Sequence, residues 1–373
     1  EGARKLGYSV KQTMVIAQQL YEGVSLGKGE GMMGLITYMR TDSVNLSDKA
    51  LSDAKQVIQE QYGREYVLSE PRKFKTKSKG AQEAHEAIRP TELARTPASL
   101  ASVLDHQQLK LYTLIWNRTM ATQMPPAELK RVGADISANK YTFRATGQTV
   151  TFDGYFRVYQ ESRDENDVKK EDDVDDDDKT LPPLAVGDAL KLDELKPEQH
   201  FTKPPARYTE ASLVKKLEEE GIGRPSTYAP TISTVITRGY IRKDGKQLVP
   251  EDVAFTVTDL LTEHFPDITD LAFTATMESS LDSIAEGEMK SGAFLGHFYG
   301  PFKQLVEQKT KDLSKKDILK ERILGDDPQS KMPVVVRTGR FGPYVQLGRP
   351  EDQPKEKTKA KRVKLKSASL PKG

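Results

Sequence analysis

The period of the hydrophobic pattern changes twice along these 373 residues, and that double switch restricts the fold more than any single motif does. Up to about residue 128 apolar side chains recur at helical spacing. From Leu129 they alternate, and from Tyr208 the helical spacing returns. Such a chain closes neither as one helical bundle nor as one sandwich. It reads as an α+β protein of several domains, with length enough for two or three cores.

The first segment predicts three long helices. "KQTMVIAQQLYEG" carries Met14, Ile16, Ala17, Leu20 and Tyr21 close to helical spacing, with Gly23 as a C-cap. "SDKALSDAKQVIQEQYG" repeats the pattern with Ser47 as N-cap. "HQQLKLYTLIWNRTMATQM" is the third, stopped by Pro125 and Pro126, and "SEPRKFKTKSKGAQ" before it is a basic loop. The middle segment, "KRVGADISANKYTFRATGQTVTFDGYFRVYQ", predicts an antiparallel meander turning at "ANK", "TGQ" and "DG". "GDALKLDELKPEQHF" resumes strand character further on. Between them "DENDVKKEDDVDDDDK" is a solvated loop, because consecutive aspartates repel and nothing nearby organises them around a metal.

The third segment, from "TEASLVKKLEEEGIGRPSTYAP" to "KQLVP", reads as helix, glycine turn, helix and a hairpin turning at Asp244–Gly245, a winged helix-turn-helix pattern. "MPVVVRTGRFGPYVQLG" predicts a short β module, and the basic tail after it predicts disorder.

Composition narrows the chemistry. With no cysteine, disulfides, thiolate catalysis and cysteine zinc sites are excluded. No apolar run approaches the roughly 20 residues of a membrane span, and no secretory signal is visible. Net charge is only +2, yet the acidic run masks a remainder that is clearly cationic, as phosphate binding requires. The opening at Glu1 reads as the middle of a domain, so a fragment of a longer protein is expected.

Four motifs carry the functional argument. "GEGMMG" matches the dinucleotide fingerprint, but a helix precedes it and an apolar segment follows, so it reads as a loop. In "LITYMR" an extended strand would turn Tyr38 and Arg40 to one face, and the polar "TDS" that follows suits a cleft. A phenol titrates near pH 10 (about 10), so attack on phosphorus calls for a cation such as Arg40 and a proton acceptor. A half-buried strand aromatic is the plainer reading of a tyrosine taken alone. In "AHEAIRPTE", His85 and Arg89 share a face if helical, beside the basic loop. In "GIGRPSTYAP", Arg224, Ser226 and Thr227 stand at a helix start that could cradle phosphate, with Arg238 at the far end of that helix. An ordinary Ser/Thr cap explains the hydroxyls but not the arginines.

"GLITYMRTDS", "AHEAIRPT", "FTKPPARYTEASLVKKLEEEGIGRPSTYAPTISTVITRGYI" and "FTATMESSLDSIAEGE" together resemble the type IA DNA topoisomerases, and "GRFGPYVQLG" looks like the start of that family's C-terminal repeats. The resemblance implies a toroidal core, present here in part. Residues 1–128 would be the helical domain with the active-site tyrosine, and 129–206 a β-rich arch with an acidic loop at 161–180. Residues 207–325 would be a helical DNA-binding base with the winged-helix-like segment, 326–348 the start of a C-terminal β repeat, and 349–373 a basic tail.

It implies ATP-independent breakage of one DNA strand through a 5′-phosphotyrosine, strand passage and religation, relaxing negatively supercoiled DNA. Tyr38 would be the nucleophile, with Arg40 and His85 catalytic, Asp42 and Arg89 supporting, and Arg224, Ser226, Thr227 and Arg238 gripping single-stranded DNA. Mg²⁺ is expected in the full-length enzyme, held by an acidic N-terminal domain that precedes these residues, with none bound here; the chain alone is then expected not to relax plasmids. A monomer in the bacterial cytoplasm at the nucleoid, with no membrane contact, completes the picture. Tyrosine recombinases and type IB topoisomerases place their arginines and histidine before a C-terminal tyrosine; here Tyr38 comes first. A non-catalytic single-stranded DNA-binding module is the alternative, and it leaves the Tyr38–Arg40 pair unexplained.

Overall fold

A computed structural model describes residues 1–27, 29, 31–41, 43–74, 86–160, 181–313, 322–339, 342–349 and 365–370. Asp42, His85, the acidic run and most of the basic loop lie outside them. The chain divides into two compact units, Glu1–Ser212 and Leu213–Gly373.

In the first unit, α1 (Gly2–Leu6) stops at Gly7 in a left-handed conformation, and α2 (Val10–Glu22) starts where the Ser9 hydroxyl accepts the Gln12 N–H at 3.1 Å. Strands β1 (Val24–Ser25) and β2 (Met32–Met33) make a small hairpin around the glycine-rich loop. Helix α3 (Asp48–Gln61) is capped by Ser47 and buries Ala50, Leu51, Ala54, Val57 and Ile58, one stripe at helical spacing. Helix α4 (His106–Thr122) begins with a reciprocal cap. Asp105 accepts the Gln107 and Gln108 N–H groups, each at 2.8 Å, and Gln108 accepts from Asp105.

These helices enclose the core of Leu20, Leu35, Ile36, Ile58, Tyr112, Trp116, Met120 and Met124. Its polar atoms are satisfied: the Trp116 indole donates to Leu93 O at 3.0 Å and the Tyr112 hydroxyl to Arg95 O at 2.7 Å.

The middle segment differs from the expected meander. It is one long ribbon of β3 (Glu128–Ala138) and β4 (Tyr141–Phe152), turning at Asn139–Lys140, where Asn139 takes a φ of 52°. "TGQ" lies inside β4, with Gly147 opposite Val132, and "DG" ends the ribbon in a 3₁₀ turn. At its base Gly154 sits so close to Pro125 and Pro126 that a Cβ would lie 2.5 Å from the Pro126 carbonyl oxygen. The Tyr159 hydroxyl accepts from Arg118 at 2.9 Å and donates to Glu1 at 2.8 Å, while the Lys5 ammonium lies 3.6 Å from its ring centroid. "GDALKLDELKPEQHF" is no strand: it is exposed and unpaired, with Leu192 at 71% and Phe201 at 80% exposure. Its alternation meets no sheet edge, and Pro197 lacks a ladder donor.

Helix α5 (Glu210–Glu219) leads into the second unit. Gly221 and Gly223, with φ of 70° and 80°, make the turn to α6 (Tyr228–Thr237). The hairpin of β5 (Ile241–Asp244) and β6 (Gln247–Pro250) follows, its turn at Gly245–Lys246, one residue later than expected. Then come α7 (Asp252–His264), α8 (Pro266–Thr269), α9 (Leu271–Ala285) and α10 (Ser291–Asp312). None of these four helices has a buried residue, and Phe265, Phe273, Phe298 and Phe302 line an apolar groove between them.

The β module pairs β7 (Arg322–Asp326), β8 (Pro333–Gly339), β9 (Gly342–Leu347) and β10 (Ser367–Ser369) as an antiparallel sheet in the order β10-β9-β8-β7. The tail is therefore not disordered throughout: β10 satisfies the edge of β9. Among the described residues no helix is long and apolar enough to cross a membrane.

Candidate active site

The segment bearing Tyr38 is laid across the end of α2 and laced to residues 86–91. Leu35 N–H donates to Leu20 O at 2.7 Å. Gly34 passes so near Tyr21 that a Cβ there would stand 2.5 Å from the Tyr21 carbonyl oxygen. On the other side Thr91 N–H donates to Leu35 O at 3.0 Å, Ile36 bridges Pro90, and Thr37 N–H donates to Arg89 O at 2.9 Å. The Thr37 hydroxyl donates to Ala87 O at 2.7 Å and accepts the Arg89 N–H at 2.9 Å. Beyond the loop, Ala87 N–H donates to Asn45 O at 2.8 Å and Glu86 accepts the Ser47 N–H at 2.6 Å. Residues 38–41 and 43–46 thus lie between two attachments to one support, residues 86–91.

The expected strand is a single bridge at Ile36, followed by a bend at Met39–Arg40. Alternation survives the bend. Leu35, Ile36 and Met39 are buried, whereas Tyr38 is 40% exposed and Arg40 is exposed. Burying Met39 between them turns the phenol and the guanidinium outward.

Arg89 is brought to this support, but its guanidinium faces inward. It donates to Pro90 O at 2.8 Å, Thr91 O at 3.3 Å and Glu86 at 2.5 Å, and its side chain is 13% exposed. Its buried Nε has no hydrogen-bond partner among the described residues. Burial alone would raise the Glu86 carboxyl, but the bonds from Arg89 and Ser47 outweigh it and hold it below the usual carboxylate range.

The second group of residues does not converge as expected. Arg224 turns away from the start of α6 to donate to Asp282 at 2.6 Å, with Glu278 at 3.9 Å, both on α9. Burial would lower this guanidinium, yet the two carboxylates hold it above its ordinary value. Thr227 stands at the N-cap, but its hydroxyl accepts the Arg224 N–H at 2.9 Å instead of capping the helix. Ser226 is exposed there, and exposed Arg238 is the C-cap. A ten-residue helix separates these two, roughly 15 Å at 1.5 Å per residue. Among the described residues no three His, Asp or Glu side chains gather as a cation site, so they do not fit a Mg²⁺ ion.

Sequence reasoning placed Tyr21 on the core face of α2. The structure leaves it 39% exposed, with its ring edge-to-face on Tyr38, centroids 5.2 Å apart and planes at 64°. Helical spacing alone could not separate it from its buried neighbour Leu20.

A family model described as DNA topoisomerase matches residues 1–296, and one described as topoisomerase C-terminal repeat matches residues 327–373. The chain belongs to the type IA DNA topoisomerase family. It is 47% identical over 356 residues to DNA topoisomerase 1 of Xylella fastidiosa (strain Temecula1), covering 95% of this chain and 43% of that protein. Against DNA topoisomerase 1 of Campylobacter jejuni the identity is 47% over 345 residues, covering 92% and 47%. The full-length topoisomerase I structure from Thermotoga maritima superposes with a TM-score of 0.69 at 33% identity, covering 100% of this chain and 55% of that one. This chain therefore spans less than half the length of the two curated relatives.

Proposed function

We propose that this chain carries the strand-breaking chemistry of an ATP-independent type IA topoisomerase, with Tyr38 as nucleophile. The observation that carries the reading is the outward pair Tyr38 and Arg40 between two attachments to residues 86–91, with Met39 buried between them. The Tyr38 oxygen attacks a backbone phosphorus, the bond to the 3′ oxygen breaks, and a 5′-phosphotyrosine forms. The phenol proton leaves and the departing 3′ oxygen gains one. His85, supported by Asp42, is the proposed proton relay, and Arg40 balances the phosphate charge. One phosphodiester replaces another, so the 3′-hydroxyl can reverse the step without ATP after a second strand has passed.

The substrate is single-stranded DNA exposed in negatively supercoiled duplexes, met by a monomer in the bacterial cytoplasm. Ser226, Thr227 and Arg238 are proposed phosphate contacts, and Arg224 joins them by exchanging Asp282 for phosphate. Arg89 acts by holding the loop's support. We assign the Mg²⁺ requirement of resealing to carboxylates outside the described residues.

The test uses a 3′-end-labelled single strand and the full-length protein. Denaturation should leave label on the wild type and none on Tyr38→Phe, with DNA binding retained. Undiminished trapping by Tyr38→Phe would overturn the reading.

A further inference from the structure

We infer that Tyr21 is a positioning residue for Tyr38, an inference that rests on Tyr38 being the nucleophile. Tyr21 meets the Tyr38 segment twice. Its carbonyl oxygen fills the space a side chain at Gly34 would need, and its ring stands edge-to-face on the Tyr38 ring at 5.2 Å. Tyr21 itself is fixed in the last turn of α2, where the Gly23 N–H donates to Gln19 O at 3.1 Å and Leu20 O accepts the Leu35 N–H. Met33 backbone lies 3.4 Å from where a Cβ at Gly23 would stand, so the helix end has little room to shift.

The reacting side chain gains most from such a neighbour. Tyr38 lies outside regular structure and is 40% exposed, so the orientation of its ring is set by the groups that touch it, and the Tyr21 ring is one of them. The T-shaped pairing with Tyr21 favours the ring orientation that Tyr38 adopts. Holding a nucleophile near its attack geometry raises the rate of the bonding step without adding to substrate affinity. The Tyr21 hydroxyl plays no part in this, because the ring makes the contact.

The experiment measures single-turnover cleavage of a single-stranded oligonucleotide by the full-length protein, with the dissociation constant and melting temperature of each variant. Tyr21→Leu should cleave about 2- to 10-fold more slowly, the rate equivalent of one aromatic pair, with affinity and melting temperature close to wild type. Tyr21→Phe should restore the rate. Wild-type cleavage by Tyr21→Leu would overturn the inference. So would a loss confined to affinity, which would make Tyr21 a DNA contact, or failure of Tyr21→Phe to rescue. Tyr38→Phe run alongside separates the two readings: continued trapping there overturns the nucleophile assignment, whereas silence at Tyr38→Phe with an unaffected Tyr21→Leu overturns the positioning role alone.

Discussion

Gly34 matters through the side chain it lacks: its place against the Tyr21 carbonyl leaves 2.5 Å for a methyl group that would have to displace backbone. Gly34→Ala should destabilise the first unit by about 1–3 kcal/mol, read as a lower urea midpoint; an unchanged midpoint would contradict the close approach. Glu86 offers a pH test. Its folded carboxyl lies below the ordinary 4.5, so its contribution is complete above that value and is lost as pH falls through the folded pKa. Melting temperatures of wild type and Glu86→Gln should differ at pH 7 and converge on acidification, whereas a gap that persists to pH 3 would contradict the Arg89–Glu86–Ser47 linkage. At this scale the outward faces of Tyr38 and Arg40 were legible, because alternation holds from Tyr38 to Arg40 although the strand does not. Arg89 and Arg224 were legible as residues but not as conformations. Which carboxylate a guanidinium chooses depends on partners three residues away at Glu86 and fifty-eight away at Asp282.

Helices with one clear apolar stripe were readable as elements: α3 starts at the Ser47 cap expected of it, whereas the Asp105 cap of α4 emerged only in the structure. The β elements were less so. A glycine between polar residues signals a turn locally, yet in "TGQ" the ladder opposite, Gly133 with Thr146 and Val132 with Gly147, runs straight through it. In residues 187–201 alternation promised a strand, but strands are made by partners rather than by pattern. Helix α6 carries the element-scale prediction. Arg238 is exposed, whereas Arg224 must give up Asp282 before it can hold phosphate. Arg238→Ala should therefore weaken single-stranded DNA binding more than Arg224→Ala does, and should lower the salt slope by about one contact's share. Asp282→Asn, which removes the nearer of the two carboxylate charges on Arg224, should tighten binding. Equal losses at the two arginines with no gain from Asp282→Asn would contradict the exchange.

At the scale of the whole molecule, the double change of hydrophobic period marks a multidomain α+β chain, and the two units bear that class out. The apolar groove lined by Phe265, Phe273, Phe298 and Phe302 was not legible, because helical spacing says which face is apolar and not what it meets. Charge segregation was plain, with a net +2 concealing an acidic run whose charge has the same sign as DNA phosphate. Replacing Asp175, Asp176, Asp177 and Asp178 with Asn should tighten single-stranded DNA binding at low salt and much less once screening shortens the field. An equal gain at all salt concentrations would show that the run acts by contact instead of charge. The central claim remains that one tyrosine of the chain's fourteen takes the DNA. Trapped complexes of the full-length protein should be digested with nuclease and trypsin and the adduct mapped by mass spectrometry. Cleavage after Lys28 and Arg40 gives a peptide of residues 29–40 in which Tyr38 is the sole tyrosine. Nucleotide mass on that peptide is the result the account predicts; nucleotide mass on any other tyrosine, with residues 29–40 recovered unmodified, would contradict it.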